Sequence, residues 1–352
     1  MNRSIWAWVR VLGGVGILAV LLWRLGTGAF VAGLRVIDGP ALALAFTIGV
    51  ATTVFSAWRW CLVARGLGMT LSLRGAIADY YKALFINAAL PGGVLGDVDR
   101  AVQHGREEGD VGRSVRAVVL ERTAGQVVLV SVGVTVLLTV PSPVLSHLQA
   151  NVRGLAVAAA TTVGLAALAV FAVGRLRSGA SRWARAARTG VAEVRSGLLT
   201  RRNWPGIVLA STVVLAGHLA TFVVAARAAG SDASLLRLAP LMLLALLAMT
   251  LPVNIGGWGP REGVTAWAFG AAGLSATQGL TIAVVYGLFA FVAALPGLVV
   301  IITRALAGAR AKARARAAAV VTVAVAEPLI EPAVVPHHKI LIPVRELVGS
   351  GA

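Results

Sequence analysis

The stretches LPGGVLGDVDR at residues 90–100 and LPVNIGGWGPREG at residues 251–263 decide the fold of this chain. In each, a proline is followed five residues later by glycine and four residues after that by arginine. These residues are Gly96 and Arg100 in the first stretch, and Gly257 and Arg261 in the second. Because proline removes a backbone donor and glycine frees the backbone dihedral angles, a helix stops at such a stretch. The pattern predicts two helices that are interrupted and then restart.

The composition around these stretches is typical of a membrane protein. Hydrophobic residues make up 58% of the 352 residues and charged residues 13%, whereas about a quarter of a soluble domain is charged. Apolar runs long enough to cross about 30 Å of hydrocarbon recur along the chain. We predict an all-α membrane protein with six full transmembrane spans and two re-entrant broken hairpins. The spans are expected at Val9–Leu25, Pro40–Trp60, Val115–Val140, Arg153–Gly174, Pro205–Arg227 and Thr281–Thr303, and the hairpins at Leu73–Val102 and Leu235–Leu274.

The distribution of arginine predicts the orientation in the membrane. The net charge is +18, and residues 175–202 hold eight arginines but one acid, Glu193. Such loops stay on the cytoplasmic side, whereas residues 141–152 and 228–236, which contain no Lys or Arg, are expected outside. Six crossings then place both termini in the cytoplasm. Because the arginines lie in short loops between apolar spans, no nucleic-acid partner is expected. Residues 1–305 form the predicted membrane domain, and residues 306–352 form a basic, then Pro-rich cytoplasmic tail.

The two interrupted segments are expected to enter the membrane from opposite sides. The first follows a predicted span that ends inside, and the second follows one that ends outside. A unit of span, broken hairpin and span therefore occurs twice with inverted orientation. Inverted repeats with discontinuous helices are typical of secondary transporters, whose substrate site lies at the repeat interface near the bilayer midplane. The alternative is that both breaks only let neighbouring helices approach closely.

The residues at the breaks suit an anionic headgroup. A restarted helix offers unpaired N–H groups and partial positive charge at its first turn. An arginine there can hold a phosphate through two hydrogen bonds and remains charged when desolvated. A buried cation needs a partner, so we expect an acid beside each arginine until a lipid phosphate replaces it. The candidate substrate-binding residues are Gly96, Asp97, Asp99, Arg100, Glu121, Arg122, Gly257, Arg261 and Glu262.

Simpler interpretations of these residues remain open. Asp97, Asp99 and Arg100 would be solvated at the cytoplasmic interface if the first hairpin does not enter the membrane. In a separate alternative, Arg261 and Glu262 form only a local ion pair. Glu121 and Arg122 in the third predicted span either anchor that helix or face the site.

Several classes of enzyme site leave no trace in the sequence. There is no Gly-rich loop ending in Gly-Lys-Ser/Thr, no His-Glu-x-x-His, no Cys-x-x-Cys and no Gly-x-Ser-x-Gly element. We therefore predict a protein that is not an enzyme and uses no cofactor and no metal.

Three motifs in order resemble one known family. Residues 90–101 resemble its Pro-Gly-Gly…Gly-Asp…Arg element, residues 121–125 its Glu-Arg-x-x-Gly element, and residues 252–263 its Pro…Gly-Gly-x-Gly-x-Arg-Glu-Gly element. The family is the transmembrane region of the lysylphosphatidylglycerol synthases, the flippase-like domain of the multiple peptide resistance factor, and the resemblance covers about residues 5–305. Val94 and Leu95 depart from it, because the family often has a further glycine there.

The resemblance implies a lipid flippase-type fold in the bacterial plasma membrane. It also implies a stand-alone member, since no room follows residue 305 for the soluble domain that transfers the amino acid from tRNA. We expect a flippase or scramblase that moves an anionic lipid, either a phospholipid or a polyprenyl-phosphate-linked glycan. The alternative is a non-transporting membrane subunit that presents a lipid to a glycosyltransferase. The expected partners are membrane lipids and, in the alternative, a glycosyltransferase or lipid-modifying enzyme.

Overall fold

The computed structural model describes residues 28–90, 93–142, 145–146, 182–250 and 258–326. These residues fold into helices and contain no β-strand. In chain order the helices are α1 (Gly28–Arg35), α2 (Gly39–Gly66), α3 (Leu73–Ala89), α4 (Leu95–Glu107), α5 (Val111–Thr139), α6 (Arg182–Gly197), α7 (Trp204–Ala228), α8 (Leu235–Ala248), α9 (Pro260–Ala271), α10 (Ala276–Ala294) and α11 (Pro296–Ala326).

Four of the described segments are long and apolar enough to cross a membrane. They are Gly39–Gly66, Val111–Thr139, Trp204–Ala228 and Ala276–Ala315. These coincide with four of the six predicted spans, so the chain is a multi-pass membrane protein. The predicted spans Val9–Leu25 and Arg153–Gly174 lie outside the described residues. The chain divides into two compact units, Met1–Ile301 and Ile302–Ala352, and the site discussed below belongs to the first.

Both predicted interruptions separate two helices that pack into a hairpin. In the first, Lys82 on α3 forms an ion pair with Asp99 on α4, with 2.7 Å between Nζ and Oδ2. In the second, Arg237 at the start of α8 donates from Nη2 to the carbonyl of Ala272, just past the end of α9, at 3.1 Å. Each interrupted segment is therefore a hairpin of two helices separated by a break.

The two breaks restart their helices at different positions relative to the shared glycine. Helix α4 begins at Leu95, one residue before Gly96, so Arg100 lies in its second turn. Helix α9 begins at Pro260, so Arg261 lies in its first turn. The cause is Gly259, whose φ of 110° is incompatible with a helix and rarely open to other residues. Pro260 then suits the first helical position.

The described residues contain four apolar clusters, and the two largest each include residues of one hairpin. The first contains Trp60, Tyr80, Ala101 and Val118 from α2 to α5. The second is larger, and its buried residues come mainly from α7, α8, α9 and α10. Small residues let the spanning helices approach closely: Gly217 on α7 lies against Thr52 of α2, and Gly49 on α2 lies against Ala293 of α10. Close approach through small residues is how membrane helices pack without a hydrophobic driving force.

A tight contact at Gly96 closes the first hairpin and gives a stability prediction. A Cβ added at Gly96 would overlap the carbonyl oxygen of Ala83 on α3. We expect Gly96→Ala to lower the free energy of unfolding by about 1–3 kcal/mol, the usual effect of overpacking. The measurement is the thermal unfolding midpoint of the purified protein in detergent.

Gly190→Ala is the matched control for this substitution. Gly190 also lies inside a helix, α6, but an added Cβ there would meet no described atom within 4 Å. Since alanine favours helix by about 1 kcal/mol over glycine, Gly190→Ala should leave the midpoint unchanged or raise it. Equal midpoints for the two variants would contradict the packing role of Gly96.

Candidate functional site

The buried carboxylate of Glu121 binds two arginines. Its Oε1 accepts from Arg59 Nε at 2.9 Å and Nη2 at 2.6 Å, and its Oε2 accepts from Arg100 Nη2 at 2.7 Å. The hydroxyl of Tyr80 also donates to Oε1 at 3.2 Å. Because Arg59 further donates to Ser211 Oγ at 3.1 Å, one carboxylate on α5 joins α2, α3 and α4 directly, and α7 through Arg59.

A second carboxylate, Asp97 on α4, completes this cluster. Its Oδ1 accepts from Arg100 Nε at 2.9 Å and from Arg122 Nη2 at 2.7 Å, and its Oδ2 accepts from Asn87 Nδ2 at 3.1 Å. The arginine cluster, as we call Arg59, Arg100, Arg122, Glu121 and Asp97, contains three guanidinium groups and two carboxylates. It therefore has an excess of one positive charge.

The second hairpin holds a single, charge-balanced pair. Arg261 and Glu262 are 2% and 0% exposed, and Arg261 Nε donates to Glu262 Oε1 at 2.9 Å. The other carboxylate oxygen accepts from the backbone N–H of Gly259 at 2.7 Å. Glu262 thus neutralises Arg261 and caps the N-terminus of α9, where a lipid phosphate was expected. In the first hairpin, the N–H of Gly96 is likewise taken by Asn87 Oδ1 at 2.7 Å.

Aromatic rings hold one arginine at each hairpin in the same way. The guanidinium carbon of Arg100 lies 4.6 Å from the ring centroid of Trp60 and 4.5 Å from that of Tyr80. That of Arg261 lies 5.0 Å from the centroid of Trp258 and 5.2 Å from that of Tyr286. Each cation therefore contacts one tryptophan and one tyrosine face, which stabilise a desolvated charge through cation–π interactions.

Glycines on two spanning helices leave room for the arginines. A Cβ at Gly125 on α5 would lie 3.0 Å from Arg59 Nη1, and a Cβ at Gly287 on α10 would overlap Arg261 Nη2. A larger residue at either position would displace a guanidinium from its carboxylate.

A cavity of about 350 Å³ lies between the two hairpins. Its lining residues come from α2, α3, α5, α7, the start of α9 and α10. Three guanidinium groups line it: Arg59, Arg122 and Arg261. The Arg122 side chain is 39% exposed, whereas Arg59 and Arg261 are buried. Arg122 is thus the most accessible of the three cations.

The structure separates the predicted site residues into three groups. Arg122 and Arg261 line the cavity, and Asp97, Arg100, Glu121 and Glu262 lie beside it as ionic partners. Gly96 is a packing contact between α3 and α4, and Asp99 is 40% exposed and pairs with Lys82. Gly257 lies outside the described residues. The alternative interpretation, in which these charged residues are solvated at the interface, therefore fits Asp99 but not Arg100, which is buried.

Sequence reasoning did not include Arg59 among the site residues. A usable signal was present, because Arg59 lies within the predicted span Pro40–Trp60, and a charged residue inside a span marks a functional site by default. His218 and Tyr286, both of which line the cavity, are joined across α7 and α10 by a 3.0 Å hydrogen bond between Nδ1 and the hydroxyl.

Comparison with known proteins identifies the family of this chain. The family model described as the lysylphosphatidylglycerol synthase TM region matches residues 7–297. The chain belongs to this family. No curated protein matches it.

In this lysylphosphatidylglycerol synthase TM region, the Glu-Arg-x-x-Gly element has a physical explanation. Glu121 binds Arg59 and Arg100, Arg122 presents its guanidinium to the cavity, and Gly125 leaves the space that Arg59 occupies. The three positions lie on α5 at intervals of one and three residues. About one turn of helix therefore carries the carboxylate, the guanidinium that lines the cavity and the glycine that leaves space for Arg59.

Neutralising Glu121 should strongly destabilise the protein. Removing one partner from a buried ion pair costs about 3–5 kcal/mol, because the remaining charge is left uncompensated. We therefore expect Glu121→Gln to lower the thermal unfolding midpoint sharply or to prevent recovery of folded protein in detergent.

Glu193→Gln makes the same chemical change in an ion pair at the surface. Glu193 pairs with Arg116, whose side chain is 44% exposed, and such pairs contribute about 0–1 kcal/mol. This variant should unfold close to the wild-type midpoint. If the two variants lose the same stability, Glu121 is not the centre of the cluster.

Proposed function

We propose that this protein moves a lipid with a phosphate-containing headgroup between the leaflets of the bacterial plasma membrane, as a flippase or scramblase. The observation that carries the proposal is the cavity lined by Arg59, Arg122 and Arg261. Guanidinium groups bind phosphate through charge-assisted hydrogen bonds. The cavity volume of about 350 Å³ is within the range of small-ligand sites, which suits a headgroup and leaves the acyl chains in the bilayer.

The position of the cavity supports transport. Its lining includes Tyr80 and Asn87 of the first hairpin and Trp258 and Arg261 of the second. A site shared by two discontinuous units is the arrangement expected where inverted repeats alternate access between the two sides. We propose that both hairpins are re-entrant, that they enter from opposite sides, and that both termini are cytoplasmic.

Arg122 is the proposed phosphate ligand. Its guanidinium reaches Asp97 Oδ1, an oxygen that also accepts from Arg100. A headgroup phosphate that takes over Arg122 would leave Asp97 still paired with Arg100. Replacing Asp97 by the phosphate as the partner of Arg122 therefore leaves no carboxylate unpaired. The phosphate also supplies the negative charge that the arginine cluster lacks.

Leaflet exchange in liposomes tests this proposal. The purified chain is reconstituted with phosphatidylglycerol labelled on an acyl chain, and exchange is followed by chemical quenching of the outer-leaflet label. Arg122→Gln should slow exchange about tenfold or more, since a hydrogen bond to a charged group contributes about 1.5–3 kcal/mol.

Arg113→Gln is the matched control on the same helix. Arg113 pairs with Asp110 at the exposed start of α5 and does not line the cavity, so exchange should continue at the wild-type rate. Lipid binding without exchange by the wild-type chain would contradict transport and favour a subunit that presents a lipid to a glycosyltransferase. Equal exchange rates for the two variants would show that Arg122 does not bind the headgroup.

A further inference from the structure

We infer that His218 is a second ligand of the headgroup phosphate, that it binds the phosphate in its protonated form, and that headgroup binding therefore takes up a proton from water. The inference rests on the proposed function, because it takes the cavity as the headgroup site. It goes further by adding the proton as a second ligand of that site and by naming the side chain that holds it.

His218 lines the cavity with one ring nitrogen available. It lies on α7 and is exposed at the cavity. Among the described residues its ring makes one hydrogen bond, in which Nδ1 lies 3.0 Å from the hydroxyl of Tyr286. The other ring nitrogen, Nε2, is therefore free to bind a ligand in the cavity.

Tyr286 fixes the orientation of this ring. The tyrosine is buried, and its ring centroid lies 4.8 Å from that of Phe222 and 5.2 Å from the guanidinium carbon of Arg261. A tyrosine hydroxyl accepts hydrogen bonds as well as donating them, so it stays bonded to Nδ1 when both nitrogens of the imidazolium carry hydrogen. Protonation of His218 therefore keeps this contact and leaves the Nε2 N–H as a donor for a phosphate oxygen.

The charged side chains that share the cavity with His218 are cations. The helices packed against α7 are mainly α2, α5, α8 and α10. Helices α2 and α5 contribute Arg59 and Arg122 to the lining, and Arg261 lines the cavity from the start of α9. No other charged residue of these helices is in the described lining, and Glu121 on α5 is bound to Arg59 and Arg100.

Arg59 contacts the same face of α7 as His218. Its Nη1 donates to Ser211 Oγ at 3.1 Å, and Ser211 lies about two turns of helix, or roughly 10 Å, before His218. A proton on His218 adds a fourth cation to the three guanidinium groups, which costs free energy until an anion lies among them.

A bound phosphate reverses the effect of this proton. It gives the imidazolium an anionic partner and a charge-assisted hydrogen bond, which is about twice as strong as a neutral one. The proton and the headgroup therefore each strengthen the binding of the other, because coupling between two ligands is reciprocal. Since histidine is the side chain that ordinarily changes charge between pH 5 and 8, headgroup affinity should rise as the pH falls through this range.

Proton uptake during binding tests the inference directly. The purified chain in detergent is titrated calorimetrically at pH 7 with short-chain phosphatidylglycerol, in buffers that differ in ionisation enthalpy. The dependence of the binding heat on the buffer gives the protons taken up, and we expect about 0.5–1 per bound lipid. Short-chain diacylglycerol, which lacks the phosphate, should cause no uptake. Binding of phosphatidylglycerol without uptake, or equal uptake with diacylglycerol, would overturn the inference.

Two substitutions of His218 separate its charge from its other contacts. The wild-type chain should bind about fivefold or more tightly at pH 6 than at pH 8, since one linked proton changes affinity by up to about tenfold per pH unit. His218→Gln cannot be protonated, so it should bind equally at both pH values and take up no proton. His218→Arg stays charged, so it should bind at both pH values as tightly as the wild type at pH 6, also without uptake. Uptake that persists in His218→Gln would contradict the inference.

His104→Gln is the matched control. His104 is buried on α4 with its ring centroid 5.7 Å from that of Trp60, and it does not line the cavity. This variant should take up as many protons per bound lipid as the wild type. Loss of the uptake in His104→Gln, together with its retention in His218→Gln, would place the proton in the first hairpin and overturn the inference.

The same titration separates this inference from the proposed function. Binding with proton uptake but without leaflet exchange in liposomes would support the proton site and contradict transport. Leaflet exchange together with binding that takes up no proton would support transport and contradict the proton site. If phosphatidylglycerol neither binds nor exchanges, both are wrong.

Discussion

The ion pairs of Glu121 are the interaction on which the rest of the structure depends. This one carboxylate, fully buried on a helix apolar enough to span the membrane, binds Arg59 and Arg100 through separate oxygens. Charges of this kind are costly in a bilayer unless each is paired. Satisfying them requires α2, α4 and α5 to meet at one point, and the first hairpin is held against the spanning helices as a consequence.

Two arginines of the cluster differ in their surroundings. Arg100 is enclosed by Trp60, Tyr80 and two carboxylates, and it acts as a structural cation. Arg122 belongs to the same cluster, but its side chain is 39% exposed and lines the cavity. The cluster carries one more cation than it has carboxylates, so in the proposed function an anionic headgroup would be a stabilising partner rather than a competitor.

Much of the architecture was predictable from local sequence. Four predicted spans and both helix breaks were confirmed, because apolar runs and Pro-Gly stretches act over a few residues. The pairing of Arg261 with Glu262 was also foreseen. The role of Arg59 was not, since its contact with Glu121 joins positions 62 residues apart. Likewise, the sequence did not show that Glu262 and Asn87 occupy the helix-end donors expected to bind phosphate.

The most direct measurement of the central claim is the distance between a lipid phosphorus and an arginine side chain. Solid-state NMR of the ¹⁵N-arginine-labelled chain in phosphatidylglycerol bilayers reports ³¹P–¹⁵N dipolar coupling at guanidinium groups. A headgroup held in the cavity predicts strong coupling that is reduced when Arg122 is replaced. Coupling that is absent, or that persists unchanged without Arg122, would contradict the account.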